Sequence, residues 1–172
     1  MPGHVIHLAI ANQYLEKHKD KKENYNEFIK GVMFPDSIKD KSKTHYGKVS
    51  SQSNINEFLK ENNITRSFER GYFLHLLTDY LFYNKYIDEF SKSMYDDYDI
   101  LNKDLMKKYE VTLPEDVKNQ VFFKEDAELT HLDMNLVDNI IKEISDLDID
   151  DIAKETIENP DKWTAFRTIN YK

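Results

Sequence analysis

One stretch constrains this chain more than any other. Residues 71–83 read Gly-Tyr-Phe-Leu-His-Leu-Leu-Thr-Asp-Tyr-Leu-Phe-Tyr, and between Tyr72 and Tyr83 a helix of this sequence is apolar on nearly every side. A helix that is hydrophobic all round belongs in a membrane or at the centre of a protein. This one is too short to span a bilayer and carries His75, Thr78 and Asp79, so it is expected to be the buried central element. Its aromatic residues Tyr72, Tyr80, Phe82, Tyr83 and Tyr86 fall at helical spacing and read as packing rather than as a substrate pocket.

The rest of the chain agrees with a helical architecture. Glycine and proline number four each. An all-β sandwich or barrel needs many more turn residues, and a dinucleotide or P-loop site needs a glycine-rich loop. No GxGxxG, GxxxxGK(S/T) or GxSxG occurs. The fold class expected is all-α, a compact helical bundle, with residues 1–172 forming one domain around one core. Helices are predicted over residues 4 to about 18, 25–33, 53–61, 65–91, 94–109, 134–145, 149–158 and 160–169. Thr65 is placed as an N-cap, residues 37–53 as a polar loop, and Val121-Phe122-Phe123 as a short strand.

Charge and histidine are unevenly spread. The formal net charge is −8, which disfavours a general binder of nucleic acid or anionic membranes, because phosphate neutralisation needs Lys and Arg. Residues 1–86 hold 13 basic and 10 acidic side chains, and residues 87–172 hold 11 and 22. His4, His7, His18, His45 and His75 all lie in the first half, with His131 alone in the second. The second half reads as an acidic helical remainder. The first half, mildly positive, would suit an anionic substrate. There is no cysteine, which removes disulfides, thiolate nucleophiles and Cys-ligated metals. A basic n-region followed by an apolar run is absent from the N-terminal residues, so the default localisation is cytoplasmic.

Chemistry is indicated by polar residues where an apolar pattern should continue. His75 and Asp79 stand four apart on one face of the central helix. A buried carboxylate needs a partner, which can be a divalent cation shared with His75 or a His–Asp hydrogen bond within the core. His7 lies between Ile6 and Leu8 in an apolar segment, as a ligand or a core histidine. Asp36 follows Gly31-Val32-Met33-Phe34-Pro35, where Pro35 is expected to stop the helix so that Asp36 projects from a bend or sits in an ordinary turn. His45 lies in Lys43-Thr44-His45-Tyr46-Gly47, a loop where a surface histidine would be unremarkable. Three imidazoles and two carboxylates without cysteine suit Zn²⁺, Fe, Mn²⁺ or Ni²⁺. Bundles build such sites from side chains projecting inward on different helices.

The order of His7, an apolar-Pro-Asp ending at Asp36, His45, and Gly-Tyr-x-x-His-Leu-x-x-Asp over residues 71–79 resembles the zinc-dependent phospholipase C family and the related P1-type nucleases. The resemblance covers about residues 1–83. It implies an all-α fold with metal ions in its core and hydrolysis of phosphate esters by a metal-activated water. It also implies His7, Asp36, His45, His75 and Asp79 as metal ligands, with Asp36 as the bridging carboxylate that orients the water. Trimetal members of the family use a processed N-terminal Trp, whereas this chain begins Met-Pro and its one Trp is Trp163. They add a further His past the central Asp, where this chain reads Tyr83-Asn84-Lys85-Tyr86. Their later His-x-x-x-Glu/Asp has only His131-Leu132-Asp133-Met134-Asn135 as a counterpart. One or two ions are therefore expected. The helical HD-domain phosphohydrolases are excluded, since no His in the chain is followed by Asp.

The expectation is a metal-dependent hydrolase acting on a phospholipid head group, a nucleotide or a small phosphate ester. The alternatives are a helical metal-binding protein without activity and a metal-free helical interaction module.

Overall fold

The computed structural model describes residues 3–172. Four helices start at side chains that accept an otherwise unpaired backbone N–H, the usual role of Asn and Asp at an N-terminus. Asn24 opens α2 (Tyr25–Ser37), Asn54 opens α4 (Ile55–Glu61), Asp133 opens α7 (Met134–Asp146) and Asp148 opens α8 (Ile149–Glu158). The others are α1 (His4–Lys17), the one-turn α3 (Ser42–His45), α5 (Ser67–Leu81), α6 (Ser93–Lys108) and the short α9 (Pro160–Trp163). Two-residue strands β1 (Glu89–Phe90) and β2 (Asn170–Tyr171) pair in parallel, Glu89 opposite Asn170 and Phe90 opposite Tyr171. Among the described residues, no helix is long and apolar enough to cross a membrane.

Helix α5 is the central element. Every residue from Arg70 to Tyr80 is buried, and Phe73, Leu76 and Leu77 are fully enclosed. Its most extensive partner is α2, and α1 packs against α2, α5, α6 and α7. Two glycines allow α2 and α5 to approach at backbone contact. A Cβ on Gly71 would stand 2.0 Å from the Phe28 carbonyl oxygen, and a Cβ on Gly31 would stand 1.9 Å from that of Phe68. Asp36 follows Gly31 by five residues and His75 follows Gly71 by four, so this crossing point sets how closely their side chains meet. At the opposite flank Arg70 ties α5 to α8, its guanidinium 2.6 Å from Asp150 and 2.5 Å from Glu23.

Several local expectations are corrected. Helix α2 does not stop before Pro35 but continues to Ser37, with Pro35 inside it. A proline in the last turn forfeits a single intrahelical bond, which is tolerated so close to the end. Thr65 donates to Asn63 instead of capping α5, and Arg66 occupies the cap position. The central helix ends at Leu81 in a wider π-type turn over Phe82–Tyr86, because the chain must leave it to form β1. Val121-Phe122-Phe123 has no strand partner: Asn102 takes the Phe122 carbonyl, and Phe122 and Phe123 are exposed. The last predicted helix is reduced to α9, since Tyr80 and Arg167 hold the following segment in irregular form. The segment 37–53 is partly helical, containing α3 and a turn of 3₁₀ helix at Ser50–Gln52.

Candidate metal centre

Four elements deliver five polar side chains to one buried place. His7 comes from the second turn of α1, Asp36 from the last turn of α2, His45 from the end of α3, and His75 and Asp79 from successive turns of α5. His45, His75 and Asp79 are wholly buried and His7 is 1 % exposed. The orientation of each imidazole is fixed from outside. His75 Nδ1 donates to the Val32 carbonyl at 2.7 Å, and His45 Nδ1 donates to that of Lys41 at 3.2 Å. A carbonyl only accepts, so Nδ1 carries the proton in both rings and Nε2 is the atom turned inward. Thr44 donates to the Pro35 carbonyl at 2.8 Å, and Tyr72 donates to that of Thr44 at 2.7 Å. These bonds pin α3, and with it His45, between α2 and α5.

Asp79 is the hub. Its Oδ2 lies 2.9 Å from His45 Nε2 and 3.3 Å from His75 Nε2, while Oδ1 lies 3.0 Å from His7 Nε2. Asp36 Oδ1 stands 3.6 Å from both His45 Nε2 and His75 Nε2. One donor atom from each of Asp36, His45, His75 and Asp79 falls in a group no wider than 4.8 Å. The rings of His7 and His75 stack at 3.8 Å, with 2° between their planes.

Much of this proximity is not hydrogen bonding. Among the described residues, His7 Nε2, His75 Nε2, Asp79 Oδ1 and both oxygens of Asp36 lack an aligned hydrogen-bond partner, although all are buried. Buried polar atoms are rarely left so, and the Lys41 ammonium, 3.3 Å from Asp36 Oδ1, offsets part but not all of the charge of two buried carboxylates. A cation answers both deficits. In a tetrahedral zinc site with bonds of about 2.0–2.2 Å, neighbouring donor atoms stand about 3.3–3.6 Å apart. Three separations in this group, 3.3, 3.6 and 3.6 Å, match that spacing, and the fourth, His45 Nε2 to Asp79 Oδ2, is at hydrogen-bond distance, 2.9 Å. The N₂O₂ donor set is also of the type zinc accepts, so these residues fit a zinc ion.

The titration of the cluster carries the same sign. For His75 burial alone would lower the pKa, but the Asp36 and Asp79 carboxylates outweigh it and raise it to about 10. For His7 burial, aided by the His75 charge, lowers it to about 4. Burial would raise both carboxyls, yet the neighbouring imidazoles, His75 foremost, hold Asp36 and Asp79 below the ordinary carboxylate range. In the metal-free protein a proton on His75 therefore stands where a cation would bring positive charge. Because the folded pKa is raised from 6.5 to about 10, this proton stabilises the fold fully below pH 6.5, and the contribution fades towards pH 10. We expect the metal-free Tm to fall between pH 7 and 10. Zinc binding at pH 7 should release about one proton from His75, read by calorimetry in buffers of different ionisation enthalpy. A proton release of zero would contradict this assignment.

The family model described as zinc-dependent phospholipase C matches residues 4–164. The chain belongs to the zinc-dependent phospholipase C family. The match takes in α1 through α9, so membership rests on nearly the whole chain rather than on the cluster alone. No curated protein and no solved structure matches it. The all-α architecture is that of this family.

The remaining histidines stand apart from the cluster. His131 lies 3.2 Å from Glu89 and contacts Ser93 and Thr130, while Asp133 caps α7, so the segment 131–135 adds nothing to the five. His4 faces Gln120 at 3.1 Å, and His18 faces the Ser145 carbonyl at 3.0 Å. Sequence reasoning missed Lys41, whose Nζ is 3.3 Å from Asp36 Oδ1 and donates to the Asp36 carbonyl at 2.9 Å. Nothing in the sequence separates it from Lys39, Lys43 and Lys48 nearby.

Proposed function

We propose that this chain is a zinc-dependent phosphoesterase whose metal is held by Asp36, His45, His75 and Asp79. The observation that carries the reading is the convergence of four buried Nε2 and carboxylate groups at ligand spacing, with His75 Nε2 and both Asp36 oxygens lacking a hydrogen-bond partner among the described residues, in a member of a zinc-dependent phospholipase C family. The bridging role that the resemblance gives to Asp36 fits Asp79 better. Asp79 has one oxygen towards His7 and the other towards His45 and His75, whereas Asp36 has one oxygen towards His45 and His75 and a second with no partner among the described residues. The four-donor set accounts for one ion, and His7 with Asp79 Oδ1 offers two donors towards a second.

A bound zinc ion supplies acidification of water and offsets negative charge developing on a phosphoryl group. The protein's own groups do the rest. The unpaired Asp36 Oδ2 is the acceptor available to orient the attacking water and take its proton, as a general base requires. Lys41, 27 % exposed at its side chain and adjacent to Asp36, supplies a cation for an anionic ester arriving from solvent. A groove of about 900 Å³ runs past the last turns of α2 and is lined by Ile29, Lys30, Met33, Phe34, Phe68 and Leu113.

The test is hydrolysis of phosphodiester and phosphomonoester substrates by zinc-reconstituted protein, with and without an alkyl chain. Activity that chelation removes and zinc restores is expected. Asp36→Asn should lower kcat/KM by about a hundredfold, the range of a lost general base. Activity unchanged in Asp36→Asn would remove Asp36 from the chemistry, and hydrolysis indifferent to chelation would overturn the zinc reading.

A further inference from the structure

Lys41 touches two of the proposed ligands with different parts of the residue. It stands at the N-terminus of α3, where its carbonyl accepts the His45 backbone N–H at 2.9 Å and the His45 ring at 3.2 Å. Its side chain reaches back to α2 instead. The ammonium donates to the Asp36 carbonyl at 2.9 Å, one of the carbonyls that the end of a helix leaves unpaired, and lies 3.3 Å from Asp36 Oδ1.

These two side-chain contacts differ in kind. The carbonyl contact is an aligned hydrogen bond, whereas Oδ1 has no aligned hydrogen-bond partner among the described residues, so its hold on the ammonium is one of charge alone. A lysine that caps a helix C-terminus needs only the first contact. The second places a positive charge beside the Asp36 oxygen that also stands 3.6 Å from both His45 Nε2 and His75 Nε2. A zinc ion bonded to that oxygen at about 2.0–2.2 Å would share it with the ammonium, and like charges this close oppose each other. The lysine side chain has solvent to turn towards, being 27 % exposed against 1 % for that of Asp36. Leaving Oδ1 breaks no hydrogen bond to it.

We propose that Lys41 is a displaceable counter-charge of the metal centre: without the ion its ammonium offsets the Asp36 carboxylate, and zinc competes with it for Oδ1. The assignment rests on the zinc reading above and goes beyond it, because it makes Lys41 lower the zinc affinity of the site it borders. The experiment measures zinc affinity, by competition with a chelating dye, and the metal-free Tm in full-chain Lys41→Gln and Lys41→Met. Glutamine drops the charge but keeps a donor for the Asp36 carbonyl, so it carries the test even if Lys41→Met does not fold. Lys43→Met, at an exposed lysine of the same short helix, removes an equal charge as the control. Both Lys41 variants should bind zinc at least about tenfold more tightly than wild type, and Lys43→Met should stay within about threefold. The metal-free Tm of both Lys41 variants should fall by about 2–4 °C or more, since a buried carboxylate loses its counter-charge. A lysine that positions Asp36 for the ion would instead weaken zinc binding when removed, and one that only caps α2 would leave the affinity of Lys41→Gln unchanged. Either outcome overturns the proposal, as does equal tightening in Lys43→Met. In all three cases wild-type protein still binds zinc, and only the role of Lys41 is lost. Wild-type protein that binds no zinc removes the underlying reading and the proposal together.

Discussion

Replacing Asp79 with alanine is expected to weaken zinc binding by at least about a thousandfold, or roughly 4 kcal/mol. Asp79 faces His7, His45 and His75 at 3.0, 2.9 and 3.3 Å, a combination Asp36 does not share, so its loss removes a proposed ligand and also the anion around which three imidazoles gather. The effect separates two accounts of the cluster. If zinc binds here, wild-type protein with the ion at about a thousand times its Kd gains about 4 kcal/mol of stability, and Asp79→Ala gains almost none. In a chain of this size that is a zinc-dependent rise in Tm of about 8–16 °C, present in wild type and absent in the variant. If the cluster is only a core hydrogen-bond network, Asp79→Ala lowers Tm equally with and without zinc, and zinc leaves the wild type unmoved. Thermal melts of both proteins with zinc and with chelator make the distinction.

The second large effect is mechanical. Gly71→Ala would put a methyl carbon 2.0 Å from the Phe28 carbonyl oxygen, a backbone atom that cannot turn aside as a side-chain terminus would. Helices α2 and α5 must then separate, and overpacking of this kind costs about 3 kcal/mol or more. We expect a fall in Tm of about 6–12 °C. Gly31→Ala, which meets the Phe68 carbonyl oxygen at 1.9 Å, should do the same. The two changes strain one contact and should cost less together than their sum. Because Asp36 lies on α2 while His75 and Asp79 lie on α5, the separation also widens the candidate metal site, so zinc affinity should fall along with stability. A Gly71→Ala protein within about 0.5 kcal/mol of wild type would show that the two backbones are not in contact.

The parts of this site that could be read from sequence are those where chemistry contradicts periodicity. His75 and Asp79 interrupt a helix that is otherwise apolar all round, and a buried carboxylate advertises its need for a partner. His7, alone inside the apolar run Val5–Ala11, and Asp36, at the end of another, carry the same signal more weakly. His45 carries none: it sits among Lys43, Thr44 and Lys48, and it is buried because Thr44 and Tyr72 hold its one-turn helix against α2 and α5. Those bonds span nine and 28 positions, beyond the period of a helix or strand. Gly31 and Gly71 are similar, since a glycine inside a helix says nothing until its neighbouring helix is known. Pro35 misleads in the other direction. The rule that proline ends a helix is about an interior hydrogen bond, and in a last turn there is little left to lose. The second half is less legible at its ends, where Tyr80, Asn84 and Arg167 exchange bonds across more than eighty positions and override the helical tendency of residues 164–169.

The most direct test of the whole account is the zinc content of the protein, purified without chelator, reconstituted with zinc and freed of excess. A chain that holds zinc through Asp36, His45, His75 and Asp79 should retain at least about one equivalent, and Asp79→Ala should retain almost none. Less than about 0.3 equivalent in the wild type, or equal zinc in the wild type and the variant, would contradict it.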